Sequence, residues 1–375
     1  MLKIKGIKAY PLLAPEPHYK GALRCITLAR IESEDGTVGW GESISQMRES
    51  AKATATIIEE GFAPLLIGEN AEDVERLWNV MLGHCWWYGP QGIAAYAVSA
   101  IDMALWDLAG KHFGVPVCTL LGGRVSDRVT AMASIIFDFD EVDWTINEFA
   151  WMVDQGYFHV KGGWGMRPDA MFGQHRKADV EMIRRIREAI GDNVELVADM
   201  AGHKGIWDPQ TAIRRVSELE PYRLRWMEEP LRPRDLEGHR LLREGVNTPI
   251  GTGEQEWTVD GYRRLIESGG VDVVQIDPGR AQGITGMLRA IHLVEAANLQ
   301  VSAHTWSSAL NTAASVHLLA NTLHSAGMDF KPHESPLQHD MIGNPWVQED
   351  GYLTVREEPG LGVEIKEDVV DKYLL

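Results

Sequence analysis

The chain has 375 residues, of which 45% are hydrophobic, and a formal net charge of −18 at pH 7. Such an acidic chain, without a Lys/Arg cluster, is not expected to bind nucleic acid or an anionic membrane, so a small-molecule partner is favoured. No signal-peptide pattern and no apolar run of membrane-spanning length is predicted. An odd number of widely spaced cysteines favours reduced thiols in a cytoplasmic protein: Cys25, Cys85 and Cys118.

Residues 1–125 are predicted to form an α+β domain. Two apolar runs flank the turn residues Asp35-Gly36, a pattern typical of a β-hairpin. Apolar residues at helical spacing over 93–108, with alanines between them, predict a long helix. A cluster of glycines and prolines over 110–129 indicates the end of this domain.

From residue 126 to 345, strand-like apolar runs alternate with helical patterns. This alternation predicts parallel strands, and a closed barrel would gather their carboxyl ends at one rim. The Gly-rich segment 162–177 is longer than a usual βα loop and is predicted to overhang that rim. Residues 346–375 break the period and are predicted to return to the first domain. The eight predicted strand ends lie near Ser134, Lys161, Asp199, Glu228, Glu254, Asp277, His304 and Glu334.

Three carboxylates stand out among these strand ends. Asp199, Glu228 and Glu254 follow one another at intervals of 29 and 26 residues, each about one strand-and-helix unit. Neighbouring strand ends of a barrel would bring the three acids together, where they would repel one another unless a cation joined them. Oxygen ligands without a cysteine suit Mg²⁺ better than a soft metal. The sequence therefore predicts a Mg²⁺ site at the barrel rim.

Two potential bases occupy other predicted strand ends. Lys161 follows the run 157–160, and His304 follows the run 301–303. Asp277, at the preceding strand end, is placed to accept the second N–H of His304. Positive charge near Lys161 would lower its pKa and make a neutral amine available. A cation on a substrate carboxylate would make the adjacent α-proton acidic and stabilise the enediolate formed, so this set of residues indicates α-proton abstraction.

Two motifs resemble those of the mandelate racemase branch of the enolase superfamily, which is itself the known example of Lys or His bases combined with Mg²⁺. The stretch 99–111 (SAIDMALWDLAGK), followed by Pro116 and by 120–123 (LLGG), is similar to the first signature of that branch. The stretch 226–230 (WMEEP) is similar to the second. The similarity extends over essentially the whole chain.

The resemblance implies a fold and a set of residue roles. The fold is an α/β protein: a modified TIM barrel of (β/α)7β type over 126–345, with an α+β capping domain formed by 1–125 and the C-terminal segment 346–375. Mg²⁺ is the implied cofactor, and Glu228 rather than Glu229 is the implied ligand beside Asp199 and Glu254. A homo-oligomer is implied as well. The implied catalytic residues are Lys161, His304, Asp277 and Glu334, the last as an eighth-strand acid that hydrogen-bonds the substrate carboxylate.

Two positions depart from the family pattern. His159 stands where the first Lys of a Lys-x-Lys pair is usual, on the same face of its strand as Lys161, and could tune Lys161, touch substrate or be a neutral polar neighbour. Ala201 stands where Asn is frequent. His203 could enter the freed space as a substrate contact or proton donor, or could remain a solvated loop residue.

Loops of the capping domain are expected to set substrate specificity. Trp306, just after His304, is a candidate wall of the pocket. Each candidate also has a structural alternative, as an exposed loop residue or as packing. The predicted substrate-binding residues in the cap are His18, Tyr19, Lys20, Gln46 with its neighbours Ser45 and Met47, Trp86 and Tyr88.

The favoured function is a Mg²⁺-dependent dehydratase of a sugar acid, a carbon–oxygen lyase. Lys161 or His304 would remove the proton next to the carboxylate, and His304 would assist loss of the 3-hydroxyl to give a 2-keto-3-deoxy acid. A racemase or epimerase of a 2-hydroxy acid is the close alternative, since each base could serve one enantiomer. A non-catalytic metal-binding barrel is a remote alternative, because the bases are present. The glycines at 121–124 and 251–254 lack nucleotide-binding spacing.

Overall fold

The N-terminal part of the chain is an antiparallel sheet backed by helices. The computed structural model describes residues 1–200, 202 and 207–375. The predicted hairpin is present, and Asp35 closes its turn by accepting hydrogen bonds from Ser33 Oγ and the Thr37 N–H. The strands, in their order across the sheet, are β1 Ile4–Glu16, β2 Ala22–Ser33 and β3 Val38–Ser43. The helices are α1 Arg48–Thr56, α2 Ala63–Leu66, α3 Val74–His84, α4 Ile93–Phe113 and α5 Val117–Leu120.

Helix α4 is the centre of this capping domain. Its length and hydropathy would allow it to cross a membrane, although the sequence analysis predicted no run of that length. In the fold, 89% of its most apolar window is buried. Its apolar surface packs against β2, β3 and α3. Gly39 and Gly41 permit the close approach of β3, because a Cβ at Gly41 would lie 2.1 Å from the carbonyl oxygen of Ala100. The three cysteines are free and buried.

A closed parallel barrel follows, as predicted, and it closes where β11 pairs with β4. Seven helices connect the eight strands in the described part of the chain, which is the expected (β/α)7β arrangement. The strands are β4 Arg128–Ile136, β5 His159–Gly163, β6 Glu195–Asp199, β7 Leu224–Glu228, β8 Ile250–Thr252, β9 Val273–Ile276, β10 Gln300–Ala303 and β11 Ser325–Phe330. The helices are α6 Val142–Asp154, α7 Arg176–Ile190, α8 Pro209–Leu219, α9 Leu236–Gly245, α10 Val259–Glu267, α11 Gly283–Ala296 and α12 Ala309–Leu319.

The C-terminal segment runs back along the barrel to the cap. Strand β12 (Tyr352–Thr354) pairs with the beginning of β4, and α13 (Glu367–Lys372) follows. The last residues then reach β1, where Leu374 bridges to Leu12. This return ties the two ends of the chain to the same sheet.

The eighth strand corrects one sequence prediction. Strand β11 ends at Phe330 and not near Glu334, because the apolar run gives way to Lys331 and Pro332, and proline cannot donate a ladder hydrogen bond. Glu334 is exposed four residues beyond the strand end. The acid that the strand carries at its carboxyl end is Asp329, which is buried.

A buried carboxyl group joins the cap to the barrel. Asp102 of α4 accepts hydrogen bonds from the Thr285 N–H (2.9 Å) and Thr285 Oγ1 (2.6 Å) at the first turn of α11. Burial raises the pKa of Asp102 from 3.8 to about 7, although these donors oppose the shift. The folded protein therefore keeps a proton that the unfolded chain loses above about pH 4.

This linkage predicts a measurable pH dependence of the free energy of unfolding. Between about pH 4 and 7, Asp102 should lower the stability as the pH rises, by about 1.4 kcal/mol per pH unit. Asp102→Asn should remove that slope, so that its stability relative to the native protein improves towards neutral pH. Denaturant unfolding of both proteins across this range checks the prediction, with the exposed Asp154→Asn as the control. Parallel curves for native and Asp102→Asn would contradict it.

Candidate active site

Three carboxylates converge at the carboxyl ends of neighbouring strands. Asp199 and Glu228 are the last residues of β6 and β7 and pair in register, and Glu254 lies two residues beyond β8. The turn that places Glu254 uses Gly253 at a φ of +128°, where a Cβ would be 2.7 Å from the Gln275 carbonyl oxygen. One oxygen from each acid lies within 4.8 Å of the others. We call these three residues the carboxylate trio.

The trio fits a hard divalent cation. All three donors are oxygens, and Asp199 and Glu228 are only 6% and 0% exposed. Oxygen ligands at about 2.1 Å from one Mg²⁺ are about 3–4 Å apart, so a small contraction of the trio would complete the site. Three closely spaced negative charges, two of them buried, need compensation in any case. The choice of Glu228 is consistent with the neighbouring acid, because Glu229 is not part of this group and accepts a hydrogen bond from Gln255 Nε2 at 2.6 Å.

Lys161 supplies part of that compensation. Its Nζ contacts Glu228 Oε1, lies 3.1 Å from Asp329 Oδ2 and lies 3.6 Å from Asp199 Oδ2. Burial alone would lower the pKa of Lys161, but the charges of Asp329, Glu228 and Asp199 raise it well above its ordinary value. Without a cation the shift is thus opposite to the one predicted from the sequence. A cation on the trio would compete with the ammonium for the same oxygens and lower the pKa of Lys161.

On the other side of the cavity, His304 forms a dyad with Asp277. The Nδ1–H of His304 donates to Asp277 Oδ2 at 2.6 Å, while Asn311 Nδ2 and the Gly279 N–H donate to Asp277 Oδ1. This bonding leaves His304 Nε2 directed towards the trio, 3.7 Å from Glu254 Oε2. Burial alone would lower the pKa of His304, but Glu254 and Asp277 raise it to about 9.

Two tryptophans hold trio members in place. Trp226 Nε1 donates to Glu228 Oε2, and Trp164 Nε1 donates to Asp199 Oδ2, each at 3.1 Å. Trp164 lies at the start of the predicted overhanging segment. Such outer partners orient metal-ligating carboxylates.

Trp226→Phe should therefore weaken binding of Mg²⁺ by about 10–100-fold, because Glu228 loses the donor that fixes its second oxygen. Calorimetric titration of Mg²⁺ into the native protein and the variant measures the change. Trp106→Phe is the matched control, since Trp106 Nε1 donates to Thr285 Oγ1 in the cap–barrel joint, away from the trio. Equal affinities for native protein and Trp226→Phe would contradict the assigned role.

A cavity of about 120 Å³ opens above these groups. Lys161, Asp199, Glu254 and His304 line it, so the structure brings the predicted bases and two trio members to one space. Of the predicted substrate-binding residues, Gln46 and Trp306 line this cavity, and Met47 lines its outer extension with Gln46. Arg24, Trp164 and Asp329 also line it and were not predicted.

Several cap candidates lie elsewhere. Trp86 and Tyr88 are 75% and 54% exposed, because the loop between α3 and α4 faces outward. Lys20 Nζ pairs with Asp138 Oδ2 at 2.6 Å. Tyr19 is buried behind the cavity wall, with its ring against Trp306. Two further cap candidates contact other groups. Ser45 Oγ and Thr27 Oγ1 share a hydrogen bond of 2.9 Å, and His18 Nε2 lies 3.3 Å from Glu148 Oε2.

Of the two departures from the family pattern, the structure describes only the one at His159. His159 is buried below the rim, where the Arg225 guanidinium lies 2.5 Å from its Nε2. Because arginine can only donate, the ring accepts, and burial together with Arg225 lowers the pKa of His159 to about 3. This position is compatible with a neutral polar neighbour, one of the three predicted alternatives, and the role of His159 remains a prediction. His203 and Ala201 lie outside the described residues.

Comparison with known proteins agrees with this architecture. Residues 22–122 match the mandelate racemase / muconate lactonizing enzyme N-terminal domain family, and residues 145–369 match the enolase C-terminal domain-like family. The chain is 28% identical to D-galactarolactone cycloisomerase of Agrobacterium fabrum over 93% of this chain and 91% of that protein. It is 29% identical to D-gluconate dehydratase of Thermoproteus tenax over 100% of this chain and 74% of that protein.

Solved structures of similar proteins have the same fold. The 3,6-anhydro-D-galactonate cycloisomerase of Zobellia galactanivorans superposes with a TM-score of 0.89 at 30% identity, covering 100% of this chain and 99% of that one. A racemase from Streptomyces coelicolor with bound magnesium superposes with a TM-score of 0.88 at 25% identity, covering 99% of this chain and 100% of that one. The chain belongs to the enolase superfamily, in its mandelate racemase branch.

Proposed function

We propose that the protein is a Mg²⁺-dependent dehydratase that converts a sugar acid into a 2-keto-3-deoxy acid. The observation that supports it most is the shared cavity: Lys161 and His304 face the same space as the carboxylate trio. Dehydratases of sugar acids among the relatives, and a neighbour with bound magnesium, support the substrate class and the cation. Its partner is thus a small carboxylic acid.

The residues divide the reaction between them. Bound to the trio, a divalent cation would withdraw electron density from the substrate carboxylate and make the adjacent C2 proton more acidic. Lys161 or His304 takes that proton, and the electron pair released at C2 forms the C2–C3 double bond as the 3-hydroxyl leaves. His304 Nε2 is suited to protonate the departing hydroxyl, because the Nδ1–H of His304 donates to Asp277 and leaves Nε2 directed towards the trio. The enol product then tautomerises to the 2-keto acid.

The wall of the cavity suits a polyol. Arg24 and Gln46 hydrogen-bond each other at 2.9 Å within reach of the cavity, and Trp306 and Trp164 present flat apolar faces with few polar atoms. Sugar hydroxyls are bound in proteins by such planar polar side chains beside aromatic surfaces. The lining therefore combines a carboxylate-binding end with donors and acceptors for hydroxyl groups.

A racemase or epimerase is the second candidate. It is favoured by the placement of Lys161 and His304 on two sides of the trio, where each could serve one face of C2. A cycloisomerase, as named for two similar proteins, would share the first proton transfer but expel a ring oxygen instead of a hydroxyl group. These reactions differ in their products and can be separated by one assay.

The assay incubates the protein and Mg²⁺ with a panel of aldonic acids, aldaric acids and their lactones or anhydro forms. Formation of a 2-keto-3-deoxy acid from an open-chain acid, abolished by EDTA and by Glu254→Gln, is the expected result. Repeating the positive cases in D₂O distinguishes the alternatives. Deuterium at C2 of recovered or inverted acid, without keto acid, would replace the dehydratase by the racemase, and turnover of cyclic substrates alone would replace it by the cycloisomerase.

A further inference from the structure

A second group of metal-ligating side chains lies between the cap and the barrel, separate from the trio. His18 belongs to the 3₁₀ turn Pro17–Tyr19 after β1, Glu148 to α6, and His333 to the segment that follows β11. Glu148 Oε2 lies 3.3 Å from His18 Nε2 and 2.7 Å from His333 Nε2. One ligand atom from each residue is within 4.8 Å of the others. We call these residues the seam cluster.

Aromatic packing fixes the seam cluster. Trp144, Glu148 and Trp151 lie at helical spacing on α6 and share one face of that helix. His333 stacks on Trp151 with ring centroids 4.7 Å apart, and His18 stacks on His333 at 3.4 Å with planes 14° apart. The two imidazole rings are thus held face to face next to the Glu148 carboxyl group.

The polar atoms of the seam cluster are turned inward without hydrogen bonds. His18 Nε2, His333 Nε2 and Glu148 Oε2 are buried, and none of them has a hydrogen-bond partner of acceptable geometry among the described residues. Two imidazole rings and a carboxyl group whose facing atoms have no hydrogen-bond partner among the described residues form an incomplete polar cluster, which a cation would complete.

We propose that His18, Glu148 and His333 bind a divalent transition-metal ion, of which Zn²⁺ is the best match. Two imidazole nitrogens and one carboxylate oxygen select Zn²⁺ over Mg²⁺, whose ligands are oxygens. In a tetrahedral site with bonds of about 2.0–2.1 Å, the ligand atoms are about 3.4 Å apart. The 3.3 Å between His18 Nε2 and Glu148 Oε2 is close to this value, whereas the 2.7 Å between His333 Nε2 and Glu148 Oε2 must lengthen when the ion binds. The two rings must open from their stacked arrangement so that both lone pairs converge on the ion. The fourth position is left for water.

The site joins two domains. His18 is contributed by the cap, whereas Glu148 and His333 are contributed by the barrel, so a bound ion ties the loop after β1 to the barrel rim. Tyr19, the next residue, packs against Trp306, which lines the active-site cavity. The bound ion therefore holds in place the cap segment that supports one wall of that cavity.

The test is metal binding, and it does not depend on turnover. Protein freed of metal by EDTA and dialysis is titrated with Zn²⁺ in the presence of excess Mg²⁺, which occupies the oxygen-only trio, and bound zinc is measured by atomic emission. We expect one Zn²⁺ per chain. His18→Gln and His333→Gln should each bind it at least ~10-fold more weakly, as expected for the loss of a direct ligand. His292→Gln, an exposed histidine of α11, should bind it as the native protein does.

Co²⁺ provides a second readout that does not require a stable variant. Added to native protein in excess Mg²⁺, Co²⁺ should give the visible absorption of a nitrogen-containing site of low coordination number, and Zn²⁺ should remove it. Failure of the native protein to retain Zn²⁺ against excess Mg²⁺ would overturn the proposal. Equal retention by the native protein and both glutamine variants would also overturn it. Neither result would affect the dehydratase assignment, which rests on the trio.

Discussion

His304→Asn should lower turnover of the sugar acid by about 10²–10⁴-fold, the usual contribution of a general acid or base. Asn keeps a polar side chain near Asp277 but cannot carry the proton that Nε2 exchanges with the substrate. Mg²⁺ affinity should change little, because His304 Nε2 is 3.7 Å from Glu254 and is not among the oxygen ligands. Steady-state assay of 2-keto acid formation together with Mg²⁺ titration checks both parts.

The matched control replaces another buried histidine. His239 of α9 is fully buried and its Nδ1 lies 2.9 Å from the Asp235 carbonyl oxygen, far from the trio in the barrel wall. His239→Asn should cost stability but leave kcat close to the native value. A near-native kcat in His304→Asn, or an equal loss in both variants, would remove His304 from the proposed mechanism.

Lys161→Ala should abolish turnover to a similar extent and should also make the protein depend on Mg²⁺ for its stability. Removing one partner of a buried ion pair costs about 3–5 kcal/mol, because the remaining charges stay buried without compensation. Here Glu228, Asp199 and Asp329 all lose the ammonium. In denaturant unfolding without divalent cations, Lys161→Ala should be much less stable than the native protein. Saturating Mg²⁺ should raise the free energy of unfolding of Lys161→Ala by more than it raises that of the native protein.

Lys331→Ala is the control that distinguishes the Mg²⁺-dependent stability of Lys161→Ala from the general cost of losing a buried lysine. Lys331 is also buried, but its Nζ donates to Glu16 Oε1 at 2.6 Å and to the Ser307 carbonyl oxygen, away from the trio. Its loss should destabilise the protein by an amount that Mg²⁺ does not reduce. If Mg²⁺ stabilises both variants equally, Lys161 does not compete with the cation for the trio.

Residues at strand ends could be placed from the sequence because topology alone determines where they lie. Parallel strands in a closed barrel open at one rim, so the periodic spacing of Asp199, Glu228 and Glu254 was enough to predict that they meet. The Asp277–His304 contact follows from the same rule, since β9 and β10 are neighbours. The closed barrel and its cap were confirmed for this reason. The predicted domain boundaries and the roles of individual residues remain predictions.

The rest of the site depends on contacts that leave no periodic mark in the sequence. Glu334 was predicted from the family resemblance, whereas β11 ends at Phe330 and carries the buried Asp329 at its carboxyl end. Arg24 lies within β2, where only the way the cap sits on the barrel brings its side chain over the cavity. Trp86 looked like a pocket residue by composition, yet its loop faces outward. The raised pKa of Lys161 likewise depends on side-chain contacts with acids from three other strands, Asp199, Glu228 and Asp329.

We expect the carboxylate trio to hold a divalent cation in place of the Lys161 ammonium. A crystal structure of the protein grown with Mg²⁺ should show an ion about 2.1 Å from one oxygen each of Asp199, Glu228 and Glu254, with Lys161 Nζ withdrawn from Glu228. Crystals in which Lys161 still contacts Glu228 and no ion lies between the three acids at saturating Mg²⁺ would contradict it.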